Sequence, residues 1–387
     1  MICGRSLFAL VLLVLVGLAA ASRSAPVVAQ DADATQAEAP ADAGAAESQD
    51  ADSADAEKKE EPEAFLIPRQ AGIDHVIQGD YVGEVFLGPD PTKHAVQIIA
   101  LGDGKFSAKL YVGGLPGEGW DGKKPDEFEG TVDGEFGIFK CSLGTLTVKN
   151  AGIAVENANA VVIGELIREI RRSKTQGMKP PKGAQVLLDS SDPLLTEESL
   201  PNWVSVKEGE EPQLDDVAIC QGVNSKATFQ DCILHIEFMT PFMPKARGQA
   251  RGNSGVYLQG RYEVQVLDSF GLEGKDNECG GIYEVQAPKV NMCYPPLQWQ
   301  TYDIKFTAAK FDASGKKTAN ARMTVYHNGV KIHDNVEVPK ATRAAPNAEG
   351  PESGFLHLQD HGSPVRYRNI WVLDLVKARA ERKAAGK

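Results

Sequence analysis

Three hydrogen-bonding residues are spaced along Arg261-Tyr262-Glu263-Val264-Gln265-Val266-Leu267-Asp268 in a way that could do chemistry. On a strand, residues two apart share a face. Tyr262, Val264 and Val266 then point to a core, and Glu263 and Gln265 point away from it. A bulge after Gln265 would bring Asp268 to the same side. Acidic groups along one strand face suit acid–base cleavage of a glycosidic bond, and a retaining mechanism needs two carboxyl groups about 5–5.5 Å apart. The plainer explanation is a solvated outer face. A second cluster is Leu358-Gln359-Asp360-His361-Gly362. It puts an imidazole beside a carboxylate where a strand gives way to a loop, so His361 is a candidate general base or metal ligand. A solvated loop histidine is the ordinary alternative. His357 and His361 are four apart, but a strand-to-turn segment does not bring that spacing onto one face, so the pair makes a poor zinc site. In Arg251-Gly252-Asn253-Ser254-Gly255-Val256-Tyr257, Gly permits close approach, and Arg251 and Asn253 offer donors to sugar hydroxyls. An ordinary Gly-rich turn entering a strand would look the same. Glu237 faces away from the apolar side of Cys232-Ile233-Leu234-His235-Ile236-Glu237-Phe238. Walker, dinucleotide, G-x-S-x-G and H-E-x-x-H motifs do not occur in the sequence.

These residues need strands to position them, and strands are what the pattern specifies. Short alternating segments recur at Thr301–Phe306, Ala321–Tyr326, Val330–Ile332, Phe355–Gln359 and Tyr367–Val372. Many short strands separated by turns indicate an antiparallel sandwich or jelly roll over residues 184–376. Residues 64–174 read as a small all-β domain, with Gly-separated apolar runs such as Phe106–Val112 and Gly144–Val148; Val161–Arg172 fits either helix or strand. The Pro/Gly-rich segment 175–183 is the expected linker between them. Residues 377–387 form a basic tail, expected as a frayed helix.

The flanks and the charge narrow the function class. Arg5 precedes a 15-residue apolar run, Leu7 to Ala21, followed by small residues, so residues 1–30 read as a cleaved secretory signal. Fifteen residues are short for a membrane span, and no later run is long enough. The expected location is periplasmic, extracellular or cell-surface. Residues 31–63 hold twelve acids against two lysines and little that could enter a core, which predicts a disordered acidic linker. The rest of the chain is close to neutral, so nucleic acid is not an expected partner. Cys141, Cys220, Cys232, Cys279 and Cys293 show no C-x-x-C spacing; they fit buried small hydrophobes or one staple, with Cys279–Cys293 and Cys220–Cys232 both open as pairs.

Taken together, several of these segments resemble the 3-keto-disaccharide hydrolase domain family. They are Arg251–Leu258, Tyr262–Gly271, Cys279-Gly280-Gly281-Ile282-Tyr283, Trp299–Ile304, His327-Asn328-Gly329-Val330, Leu358–Gly362 and Val365–Trp371, in order across about residues 184–375. The opening Val186-Leu187-Leu188-Asp189 fits too, although Ser190 stands where the family shows Gly. The resemblance implies a concanavalin-like β-sandwich with a concave carbohydrate cleft, preceded here by the small all-β domain. It implies action on glycosides already oxidised at carbon 3, supplied by an upstream 3-dehydrogenase. On that basis His361, Asp360 and Glu263 are the expected catalytic groups. Gln265, Gln359, Arg251, Asn253, Glu237 and Asp268 are expected to bind substrate. A divalent metal is compatible with this chemistry, and its identity is not specified. Two other classes share such a fold: a non-catalytic lectin-like module and a cell-surface interaction protein.

Overall fold

The computed structural model describes residues 63–189, 200–215 and 218–384. The expected leader, nearly all of the acidic segment and the last three residues of the tail lie outside the described residues.

The first body is a closed barrel of eight antiparallel strands in sequence order: β1 (Gly79–Phe86), β2 (Pro91–Gly102), β3 (Lys105–Val112), β4 (Asp126–Asp133), β5 (Phe136–Cys141), β6 (Gly144–Lys149), β7 (Gly152–Glu156) and β8 (Val162–Glu169). The ambiguous stretch at 161–172 is therefore mostly strand. β8 pairs with both β1 and β7, which removes the open edges of the sheet. Tyr81, Phe106, Phe139, Leu146 and Leu166 fill the interior, so the barrel is packed. Trp120 sits edge-on to Tyr111, at 5.5 Å, as a packed loop aromatic.

The second body contains β9 (Gln185–Leu188), β10 (Trp203–Ser205), β11 (Leu214–Asp215), β12 (Ala218–Cys220), β13 (Val223–Phe229), β14 (Cys232–Met239), β15 (Ser254–Leu258), β16 (Tyr262–Val266), β17 (Gln300–Thr307), β18 (Lys310–Phe311), β19 (Lys317–Ala319), β20 (Ala321–His327), β21 (Val330–Val338), β22 (Gly354–Leu358) and β23 (Arg366–Asp374). One sheet runs β10-β13-β22-β15-β16. The other runs β11-β12-β23-β14-β17-β20-β21, with β9 beside β23. Their facing sides make one core. Val256, Val264, Val266 and Leu358 enter it from the smaller sheet, and Leu234, Ile236, Ile304, Val325 and Val372 from the larger. This is the β-sandwich expected from the alternating pattern. The basic tail begins as a helix, α1 (Leu375–Ala384).

Residues 175–183 differ from a free linker, because part of the segment is strapped onto the larger sheet. Thr175 Oγ1 donates to Asp303 Oδ2 (2.7 Å), and the Gly177 N–H donates to Glu237 Oε1 (2.5 Å). Asn369 and Trp371 donate to the Met178 carbonyl. The barrel is docked as well. Ile99 of β2 joins the sandwich core and Phe242 joins the barrel core. The buried Arg171 pairs with Asp80 (2.8 Å), and its guanidinium lies 4.5 Å over Tyr294.

Candidate functional site

The outer face of the five-stranded sheet carries a cavity of about 280 Å³. Register explains why. β15 and β16 pair Gly255 with Gln265 and Tyr257 with Glu263, and β22 sets His357 opposite Tyr257. Since Val256, Val264 and Leu358 point into the core, the residues alternating with them must point out. Asn253, Tyr257, Glu263, Gln265, Gln359 and His361 line the cavity, with Gln249, Tyr283 and Arg343 contributed by loops around it.

Glu263 is the only carboxylate among these lining residues. It is 2% exposed. Gly255 makes room for it, because a Cβ there would fall 2.2 Å from Glu263 Oε1. Burial pushes the Glu263 carboxyl up to about 8; a hydrogen bond with Tyr257 opposes this, and the nearby Glu284 charge adds to it. Tyr257 donates its hydroxyl to the Arg343 carbonyl (3.1 Å) and accepts Gln359 Nε2 (3.2 Å). Its phenol is held well above the usual range, first by burial and then by Glu263. His357 lies beneath, 5.3 Å from the Tyr257 ring, and hydrogen-bonds Asn224 (2.8 Å). Burial lowers it to about 4, so it is neutral at pH 7 and serves as packing. His361 is exposed at the mouth.

The structure thus brings Glu263, Gln265, Gln359, Asn253 and His361 to one cavity. It places four other expected residues elsewhere. Asp360 turns away: it accepts the Gly362 N–H (3.0 Å) and lies 3.6 Å from Lys207 in a neighbouring cleft, so it does not orient His361. Asp268 is not brought round by a bulge, since β16 ends at Val266 in unbroken register. Asp268 instead pairs with Arg251 (2.6 Å) where the sandwich meets the barrel, and Arg251 also donates to the Ala100 carbonyl (2.9 Å). A buried guanidinium needs such partners and is then not free to meet a sugar. Glu237 is on the other sheet, held under the strap by Arg368 (2.8 Å) and Asn369 (2.9 Å). Alternation alone cannot say which sheet a polar face belongs to. Gln249, Tyr257, Tyr283 and Arg343 were not anticipated. Tyr257 was within reach of pairing logic, as the cross-strand neighbour of Glu263, whereas the three loop residues had no periodic signal. Among the described residues, no group of three or more His, Cys, Asp or Glu side chains is arranged to hold a metal ion.

Comparison with known proteins bears on this domain. Residues 183–373 match the model of the 3-keto-alpha-glucoside-1,2-lyase-like domain. A crystal structure of a candidate glycosyl hydrolase from Parabacteroides distasonis is 33% identical, covering 50% of this chain and 85% of that one with a TM-score of 0.45. A second candidate glycosyl hydrolase from the same organism is 19% identical, covering 48% and 99%, with a TM-score of 0.34. No curated protein matches the chain. Through residues 183–373, the chain belongs to the 3-keto-alpha-glucoside-1,2-lyase-like domain family.

Proposed function

We propose that this protein cleaves the glycosidic bond of a 3-keto-glucoside by elimination across C1 and C2 followed by hydration, with Glu263 as the base. Family membership makes it a glycoside-acting enzyme. The observation that carries the finer reading is the single carboxylate in the cavity. Double displacement needs a pair of carboxyl groups at short range, and only Glu263 is there. A substrate with a ketone at carbon 3 needs no nucleophilic partner. The ketone acidifies the C2 proton, Glu263 removes it, and the electron pair forms an enolate at O3. Collapse of the enolate forms the C1–C2 double bond and expels the C1 substituent with its oxygen. Water then adds at C1 and a proton returns to C2, so the net change is hydrolysis. A carboxylate titrating near 8 is a stronger base than an ordinary one and still ionises near neutral pH. In this reading His361, exposed at the mouth, protonates the departing oxygen, and Gln359 and Tyr257 offer polar contacts to the ring.

The proposal extends to context. The basic and apolar start of the sequence supports export. A dehydrogenase acting on carbon 3 must supply the ketone.

The test is release of p-nitrophenol from p-nitrophenyl 3-keto-α-D-glucoside, with the unoxidised glucoside alongside. Turnover of the keto substrate alone, reduced about 10²- to 10⁴-fold in Glu263→Gln, is expected for a general base. Equal turnover of both substrates would sink the elimination route. Sugar binding without any turnover would return the site to the lectin-like class.

A further inference from the structure

We infer that Glu284 and Arg343, paired at the edge of the cavity, are positioning residues that act on Glu263 through charge: the Glu284 carboxylate favours the protonated form of Glu263, and Arg343, as its counter-ion, bounds that effect. Their part in the reaction rests on Glu263 being the base proposed above.

Both charges sit one residue beyond a group bonded to the Glu263 main chain. The Tyr283 N–H donates to the Glu263 carbonyl (3.3 Å), and the Glu263 N–H donates to Thr342 Oγ1 (3.0 Å). Glu284 follows Tyr283, and Arg343 follows Thr342. The two segments are tied down. In the first, Ile282 and Gln286 exchange main-chain bonds (3.1 and 3.0 Å), and the Gly281 carbonyl accepts the Gln265 N–H of β16 (2.9 Å). In the second, the Thr342 N–H donates to the Arg261 carbonyl (2.9 Å), and the Arg261 side chain donates to the carbonyls of Ala348 (2.7 Å) and Gly350 (3.1 Å). Glu284 and Ala344 have φ of +55° and +57°. That region is costly for a residue with a side chain, and turns that need it favour Gly or Asn. The first turn carries a carboxylate there instead. Between the segments, Arg343 Nη1 donates to Glu284 Oε1 (3.1 Å). Tyr283 and Arg343 both line the cavity.

The Arg343 and Glu284 side chains are 73% and 50% exposed, and an ion pair that open to solvent adds little to stability. Its placement matters more than its strength. Glu263 is buried, where a nearby charge is poorly screened. The other titratable groups around it are Tyr257 from β15, Tyr283 from the turn, Tyr367 from β23 and His361 from the segment after β22. Burial holds the three phenols above their ordinary range, so they carry no charge near pH 7. The Glu284 charge pushes Glu263 upward, in the same direction as burial. At Tyr283, on the cavity wall, Glu284 raises the phenol and Arg343 lowers it. The two charges thus oppose each other on the side of the cavity where the Glu263 main chain is held.

The test follows the Glu263 carboxyl directly in the full chain, by infrared difference titration against Glu263→Gln, with the pH profile of kcat/KM on p-nitrophenyl 3-keto-α-D-glucoside alongside. Glu284→Gln is expected to move the Glu263 midpoint down and Arg343→Gln to move it up, each by roughly 0.3–0.8 pH unit, the order for a partly screened charge. The double variant returns toward the wild type, and Arg343→Lys, which keeps the cation, stays close to it. Salt at 1 M shrinks both shifts. Opposite signs separate charge from structure, because either substitution breaks the same ion pair and a loosened turn would move Glu263 the same way in both. Shifts of one sign, or midpoints that do not move in either variant, would overturn the inference. Both side chains are exposed, so neither substitution opens the core, and Arg343→Lys keeps the test readable if Arg343→Gln fails to fold: a midpoint displaced as far in Arg343→Lys as in Glu284→Gln would also overturn it. If the carboxyl shifts in opposite senses while 3-keto-glucosides are not turned over, the cleavage reading fails and the charge control of Glu263 stands. Turnover with an unmoved carboxyl gives the reverse.

Discussion

Glu263 and Gly255 form one functional unit at the residue scale. The carboxylate reaches its buried position because the neighbouring strand offers no Cβ above it. Gly255→Ala is expected to push Glu263 off its place and crowd Tyr257, whose ring carbon would be 2.8 Å from the new Cβ. Overpacking of this kind costs about 1–3 kcal/mol, readable in urea titration, and kcat should fall with it. The pH profile follows from the Glu263 titration. The base must be ionised, and its folded value is about 8. The expected kcat/KM therefore rises about tenfold per pH unit below 8 and flattens above it. A flat profile between pH 6 and 8 would remove Glu263 from the role of base. The alternation around 262–266 was enough to show that Glu263 and Gln265 leave the core. Their separate duties, one as a perturbed carboxyl and the other as a structural amide, depend on Tyr257, Gln249 and Asn277, which reach them from other strands and loops.

The segment 175–183 illustrates the element scale. Its composition indicates a linker, yet the fold uses it to cover ionisable groups on the larger sheet. His235 is fully buried; it pairs with Asp303 (2.7 Å), lies 3.8 Å from Glu237 and stacks on Trp371. Burial alone would lower His235, but its hydrogen bonds and charge pairing with Asp303 and Glu237 prevail and raise it. Burial would likewise raise Glu237, and His235, Asn369, the Gly177 N–H and Arg368 outweigh that and hold it at about 2. The signs give a stability window. The depressed carboxyl stabilises the fold above its unfolded value of 4.5 and loses that contribution as pH falls toward 2. The raised imidazole stabilises below its unfolded value of 6.5 and loses its contribution as pH rises through the folded value. Thermal unfolding should therefore show a fall in Tm between about pH 4.5 and 2 that is smaller in Glu237→Gln. Removing one partner, as in His235→Ala, should cost about 3–5 kcal/mol, as for other buried ion pairs broken on one side. An equal acid dependence in wild type and Glu237→Gln would mean that this network does not govern it.

On the scale of the whole molecule, the barrel bears on the site through the ends of one hairpin. Arg251 and Asp268 flank β15–β16, their main chains join through the Asp268 N–H and the Arg251 carbonyl (3.1 Å), and Arg251 reaches the barrel at Ala100. The hairpin that carries Glu263 is thus clamped where the two bodies meet. Arg251→Ala leaves Asp268 buried beside no cation and should destabilise the protein by about 3–5 kcal/mol. Unfolding followed by tryptophan fluorescence and by circular dichroism should separate in this variant and coincide in the wild type. Coincident transitions in Arg251→Ala would show that the clamp does not couple the two bodies.

Strand periodicity, turn residues and the ordered motifs of 184–375 determined the all-β class, the sandwich and the polar face of β16, because those depend on a two-residue repeat that neighbouring side chains share. They also marked out Glu263, Asn253, Gln359 and His361, which one sheet collects. Tertiary structure decided the rest. It closed the first domain into a barrel, turned a linker into a strap, sent Glu237 to the opposite sheet and committed Arg251 and Asp268 to each other. The physical reason is common to all of these: whether a polar side chain serves a ligand or the fold depends on which partners surround it after burial, and those partners come from 12 to more than 100 residues away in the chain.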